Sequence, residues 1–229
     1  MLAVGSLALT GCGQKNQSNP NAGKGGGTTS KSAPLQDLNI KSRDEVKDGG
    51  TVRFSIETLP TTWNALHIDG NTVDLSTTIM GFVGANNFDI AEDGTPKPDT
   101  DYLQSYDVQT NGGKQVVTLH LNPKAKWNSG RTIDYTDYQA TWKANNGANE
   151  DFKMASSDGF NQIESVKKGD KDTDVVITYK ATYPDWTATW SSVMPKEGVG
   201  TPETFNNGWK QFKPEWFTGP FTLDRIDQA

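Results

Sequence analysis

The sequence holds one cysteine, Cys12, and two histidines, His67 and His120. A lone cysteine excludes an internal disulfide and a metal cage built on thiolates. The two histidines stand far apart without ligand spacing, so no metal site is expected, and a Ser-His-Asp system is implausible. Both are expected as ordinary surface or satisfied side chains. There is no block of lysine and arginine: 22 basic and 28 acidic residues are interspersed, for a net charge of −6. A nucleic-acid footprint, which needs a clustered basic face, is therefore not expected. Long apolar runs are missing too. The best is Met1–Leu9, and a membrane-spanning helix needs ~20 residues. No G-x-S-x-G elbow, H-E-x-x-H, P-loop or G-x-G-x-x-G occurs. Carboxylate pairs exist, but Asp99 and Asp101 lie in a Pro-rich loop with no visible cause for a raised pKa. Asp134 and Asp137 are better used at a helix start. No catalytic residue, metal or cofactor is expected, and the chain does not read as an enzyme.

What is present is organised around Val116–Gly147. V-V-T-L-H-L alternates, with Val117, Leu119 and Leu121 on one face and Thr118 and His120 on the other, the period of a half-buried strand. Pro123 and Asn128-Ser129-Gly130 are turn chemistry. Asp134 can accept from the free amides of a first helical turn, and Asp137 adds a second carboxylate at its positive end. Tyr138, Trp142 and Asn145 recur at helical spacing, and Gly147 is placed to stop the helix.

The other elements follow in chain order. Met1–Leu9 reads as the apolar part of a secretory signal, and Leu9-Thr10-Gly11-Cys12 resembles the bacterial lipobox, with Cys12 as the acylated residue. No basic residue precedes the run, so an upstream start is expected. Residues 13–48 have almost nothing to bury until Leu35 and read as a disordered tether. Thr51–Glu57 alternates, with Val52, Phe54 and Ile56 pointing one way, and predicts a strand. Asn71–Gly84 predicts a helix. Tyr106–Val108 is expected to pair with Val116–Leu121 across Asn111-Gly112-Gly113. Ile163–Val166 and Val175–Tyr179 predict a second hairpin. Trp186, Trp190 and Val193 form a core stripe, Thr201–Gly208 a short helix, and Phe221–Ile226 a last strand. The seven tryptophans are either core or a surface on which a sugar or peptide stacks.

These motifs, in this order, resemble the family 5 extracellular solute-binding proteins, the dipeptide and oligopeptide receptors of ABC importers. G-G-T-V-R-F-S-I resembles the family's opening strand, and L-P-T-T-W-N-A-L the loop after it. Leu119-His120-Leu121, Trp127, Ser129-Gly130 and Asp134-Tyr135-Thr136-Asp137-Tyr138 occupy the places of its F-x-L-R, W, D-G and T-A-x-D-V signature. Ala181-Thr182-Tyr183-Pro184, Met194-Pro195-Lys196 and Thr218-Gly219-Pro220-Phe221 fall where the family has x-P-Y-P, I-V-P-K and G-T-G-P-Y. Ser129, Tyr135 and Tyr138 depart from the usual Asp, Ala and Val.

The resemblance implies an α/β fold, the first lobe of a type II periplasmic-binding-protein-like clamshell. It would have mixed sheets, β-hairpins and short helices, and residues 49–229 would be the N-terminal part of a longer domain whose second lobe lies outside this chain. It implies a substrate-binding lipoprotein on the outer face of the cell membrane, passing short peptides or similar small solutes to ABC permease subunits. In the family, the loop after the first strand borders the ligand cleft, which makes Thr58, Trp63 and Asn64 candidates. An aromatic after the central helix can also face ligand, here Phe152. A tryptophan at position 63 can equally pin its loop onto the core. The alternative function is a cell-surface carbohydrate-binding or adhesion module.

Overall fold

The computed structural model describes Asn39 and residues 41–226. The signal segment, Cys12 and most of the expected tether lie outside the described residues. Near the tether's end, Arg43–Glu45 form one exposed 3-10 turn, and the Glu45 carboxylate accepts from the Ser42 amide and hydroxyl at 3.0 and 2.8 Å.

A π-type helical turn, Asp74–Ile79, runs into α1 (Met80–Val83) and buries Leu75, Met80 and Val83. This is the helix expected over 71–84. Two short strands follow, β1 (Ala85–Asn86) and β2 (Phe88–Ile90). β2 turns back through Gly94, at φ 81°, to pair with β3 (Pro96–Pro98). Both prolines lack a ladder donor, which suits a two-stranded ribbon with free edges.

The main sheet begins with β4 (Leu103–Asn111) and β5 (Lys114–Leu121). Their turn is Gly112-Gly113, at φ 58° and 81°. Two successive positive φ angles define the tight turn whose twist matches a hairpin, and glycine takes them without steric cost. Asn111 stays in the strand opposite Lys114, and Tyr106 faces Leu119. Along β5, Gln115, Val117, Leu119 and Leu121 are buried while their neighbours are not.

The chain then forms α2 (Tyr135–Asn145), followed by β6 (Ile163–Lys168) and β7 (Asp174–Tyr179). The four strands lie in the order β4-β5-β7-β6, every neighbouring pair antiparallel. Val175, Ile177 and Tyr179 of β7 continue the apolar face of β5. α2 covers that face: Tyr138 is 1% exposed, and Gln139 donates to the Val166 carbonyl at 2.9 Å.

Beyond the sheet come α3 (Trp186–Thr189), β8 (Ser192–Val193), α4 (Lys196–Val199) and α5 (Pro202–Asn207). β8 pairs with β1. Thr201 caps α5 by accepting from the Thr204 amide at 3.2 Å, with Pro202 in its first turn, where the missing amide proton costs nothing. Trp186, Trp190 and Val193 are buried against the sheet, as expected. The elements after β8 build a second, strongly aromatic core around Phe205, Trp209 and Phe217, together with Trp63 and Leu75.

Two expected strands do not form. Residues 51–56 and 221–226 take no regular secondary structure and pair with no strand among the described residues. Val52, Phe54 and Phe221 are 77%, 60% and 60% exposed. Their alternating pattern is that of a half-buried strand, but a strand exists only where a neighbouring edge accepts its hydrogen bonds. No such edge is offered here. Mixed α/β architecture with hairpins and short helices is otherwise as expected.

Candidate functional site

The loop Glu57–Asn64 was singled out by sequence, and it is anchored at both ends. The amides of Glu57 and Thr58 donate to Asp74 Oδ2 at 3.0 and 3.1 Å, at the start of the π turn. The Trp63 amide donates to the Trp209 carbonyl at 2.8 Å. Thr58 is exposed. Trp63 is 5% exposed, its ring edge-on to Phe212 with centroids 5.0 Å apart.

Asn64 is fully buried and its amide is used twice. Nδ2 donates to the Phe205 carbonyl at 3.0 Å, and Oδ1 accepts from the Leu66 amide at 3.1 Å. Phe152 packs edge-on against Phe205 at 5.4 Å within the second core. The four candidates thus divide. Thr58 is exposed and Trp63 borders a groove, whereas Asn64 and Phe152 are buried away from it.

The groove has a volume of about 1020 Å³. It is lined by residues from 49–56 and 221–226 together with Trp63, Phe82 and Phe212. Phe82 makes tilted and edge-on contacts with Phe54 at 5.3 Å and Phe221 at 5.5 Å. The surface is apolar, and no carboxylate or histidine lines it. Sequence reasoning missed this groove. Its signal was in view as the alternation of Val52-Phe54-Ile56 and of Phe221-Leu223, read as strands already paired.

The signature turn carries the densest polar cluster. Asp134 caps α2, accepting from the Thr136 amide at 2.8 Å. Asp137 does more than serve the helix end. It is fully buried and accepts from Arg131 at 2.6 and 3.0 Å, Trp127 Nε1 at 3.1 Å, and the amides of Asp134 and Lys196 at 3.1 and 2.9 Å. Arg131 also reaches Glu197 at 2.8 Å. Burial opposes the Arg131 charge, but the hydrogen bonds it donates to Asp137 and Glu197 outweigh it and raise its pKa. The cluster ties the turn, α2 and α4 together. The Asp137 carboxylate is taken up by these five donors, so the cluster serves as a structural joint.

The histidines differ from expectation in one case. His120, on β5, places Nδ1 2.9 Å from Asp174 and Nε2 3.1 Å from Asp107 and is satisfied by both. His67 is 3% exposed rather than on the surface. Its Nδ1 accepts from the Asp69 amide at 3.0 Å, leaving Nε2 buried without a partner. Asp99 does have a cause for a raised pKa, partial burial reinforced by Asp89 and Asp101. Among the described residues no cluster of His, Cys, Asp or Glu could hold a metal ion. None of their helices is long and apolar enough to cross a membrane.

The tryptophans supply no stacking platform. Trp63, Trp127, Trp186, Trp190 and Trp209 are all 7% exposed or less, and Trp142 and Trp216 are half-buried. Five of the seven are therefore core residues.

Comparison with known proteins bears on the same residues. No family profile matches the chain. The oligopeptide-binding protein OppA of Mycobacterium tuberculosis strain H37Rv is 32% identical over 99% of this chain and 38% of its own length. OppA of Mycobacterium bovis gives the same values. The chain thus spans about two fifths of the length of these curated relatives. These relatives are binding proteins, not enzymes. Among solved structures, a periplasmic EDTA-binding protein, EppA, superposes with a TM-score of 0.65 at 23% identity, covering 73% of this chain and 32% of that one. The oligopeptide-binding protein AppA of Bacillus subtilis, solved with a nonapeptide, gives 0.60 at 19% identity, over 74% and 33%. The fold is that of type II periplasmic binding proteins, seen over about one third of their chains.

Proposed function

We propose that this chain belongs to the family 5 extracellular solute-binding proteins and captures short peptides outside the cell for an ABC importer. The observation that carries this reading is the 32% identity to oligopeptide-binding proteins, sustained over 99% of the chain. Peptide capture in such a protein is binding without chemistry. Lobe closure would present the ligand to the membrane permease. Backbone hydrogen bonds to an extended peptide would leave its side chains loosely read.

In this proposal Thr58 and Trp63 are the ligand-side residues of the loop. Asn64, at the loop's end, and Phe152 anchor it through Phe205. Residues 1–12 act as a signal ending at a lipidated Cys12, and 13–48 as the tether that lets the receptor reach its permease. Membrane localisation then comes from the lipid carried by Cys12 rather than a spanning helix.

The test is uptake. Cells lacking this protein should lose import of labelled tri- to pentapeptides and keep import of free amino acids. Unchanged peptide import together with lost adhesion to polysaccharide would replace the reading with the surface-adhesion one.

A further inference from the structure

Asparagine is followed by glycine three times, at Asn111-Gly112, Asn146-Gly147 and Asn207-Gly208. Such a pair is able to react with itself. The glycine nitrogen attacks the carboxamide carbon of the asparagine, and glycine, having no Cβ, leaves that approach open. The fold gives the three pairs very different freedom to do so.

Asn207 is restrained at both reacting groups. Its Nδ2 donates to Glu203 at 3.1 Å, and the Gly208 amide, which would be the nucleophile, donates to the Thr204 carbonyl at 2.9 Å at the end of α5. Asn146 is half-buried, and its Oδ1 accepts from the Ala148 amide at 2.9 Å, which fixes the carboxamide. Asn111 has neither restraint. It is exposed, on the last rung of the β4–β5 hairpin opposite Lys114. Neither its carboxamide nor the Gly112 amide has a hydrogen-bond partner among the described residues. A Cβ added to Gly112 would meet nothing within 4 Å, so solvent reaches the pair freely. The tip of a hairpin is also where a ladder opens at least cost.

We propose that Asn111 is a site of spontaneous modification, deamidating through a cyclic succinimide, while the fold holds the other two pairs back. The Gly112 nitrogen gives its proton to hydroxide and bonds to Cγ of Asn111. The Cγ–Nδ2 bond breaks, and the nitrogen takes a proton from water and leaves as ammonia. A water molecule then opens the ring at one of its two carbonyls, breaking the bond to the ring nitrogen. Opening at the backbone carbonyl leaves isoaspartate, and opening at the former side chain leaves aspartate. Either product adds one negative charge to the net −6. Aspartate sets a carboxylate opposite Lys114, which already pairs with Glu164. Isoaspartate lengthens the main chain by one carbon beside the two-residue turn that fixes the hairpin register.

The test incubates the protein at mildly alkaline pH, once folded and once in urea. Peptide mapping by mass spectrometry, after digestion at acidic pH, reads the amide-to-acid conversion at each pair. In urea the three pairs should convert at similar rates. On folding, Asn111 should keep close to that rate. Asn207 should slow by at least about tenfold, because one or two hydrogen bonds must open first. In isotope-labelled water each product at position 111 should carry one heavy oxygen. Asn111→Gln should remove the acidic variant seen by ion exchange without moving the thermal melting. Folding that slows Asn111 as much as Asn207 overturns the proposal. So does an acidic variant that persists in Asn111→Gln, or conversion at Asn207 that outruns Asn111 in the folded protein.

Discussion

Replacing Asp137 with alanine is the sharpest stability perturbation the structure offers. The carboxylate is fully buried and accepts five hydrogen bonds, two of them from Arg131 at 2.6 and 3.0 Å. Removing one partner of a buried ion pair costs about 3–5 kcal/mol, because the other charge is left in a poorly solvated place. Arg131 keeps Glu197 at 2.8 Å, a carboxylate that is 45% exposed, which moves the charge part of the loss to the lower end of that range. The orphaned indole N–H of Trp127 and the Lys196 amide add about 1 kcal/mol each. The expected loss for Asp137→Ala is thus about 5 kcal/mol. For a body of this size that lowers Tm by roughly 10–20 °C. Urea denaturation followed by tryptophan fluorescence reads it directly, since Trp127 reports on the same site. Asp137→Asn, which keeps the volume and one acceptor, should fall between. A double-mutant cycle with Arg131→Met should show that the two losses do not add. A loss below about 1 kcal/mol for Asp137→Ala would refute the picture of a dry, fully engaged carboxylate.

Other perturbations follow from the same structure. Gly198→Ala lies in α4, where alanine normally favours a helix, but its Cβ would stand 2.3 Å from the buried Trp209 ring. Thermal melting should show a net destabilisation of about 1–3 kcal/mol, and a rise in Tm would contradict the packing. The two histidines should give opposite pH dependences. Hydrogen bonds to Asp174 and then Asp107 raise the His120 pKa above its usual value of 6.5, so its stabilisation is full below that pH and fades as pH rises through the raised value. Burial lowers the His67 pKa, partly offset by Asp69 and reinforced by Lys153. Its neutral form is favoured in the fold, so stability is lost as pH falls below 6.5. His120→Gln should therefore steepen the fall in Tm on the acid side, and His67→Asn should flatten it. Cys12→Ala should move the protein from the membrane fraction to the soluble one, with mass spectrometry showing the acyl groups gone; retention on the membrane would exclude lipidation as the anchor.

Much of the fold was legible in the sequence because local pattern and tertiary outcome agree there. Val117, Leu119 and Leu121 alternate and are buried, Asp134 caps α2, and Gly112-Gly113 makes the hairpin turn. Two strands were misread for a shared reason. Thr51–Glu57 and Phe221–Ile226 have the period of a strand, but pairing is a property of neighbours, and periodicity carries no information about whether a neighbour is present. Candidate site residues were harder. Asn64 and Phe152 are a polar and an aromatic residue next to loops, a description that fits ligand contacts and core pins alike. Only their burial, with Asn64 bonded to Phe205 and Phe152 packed on it, separates the two roles. Asp137 was read as a helix-end charge because its partners are remote in sequence: Lys196, whose amide it accepts, is 59 residues away.

Peptide binding is the central claim, and calorimetry tests it most directly. Pentapeptides titrated into the chain extended with the remainder of M. tuberculosis OppA should bind with Kd of about 1 μM or tighter, near −8 kcal/mol. The chain alone should bind at least about tenfold more weakly, a difference of 1.4 kcal/mol. No detectable heat from the folded, extended protein at millimolar peptide would contradict the account.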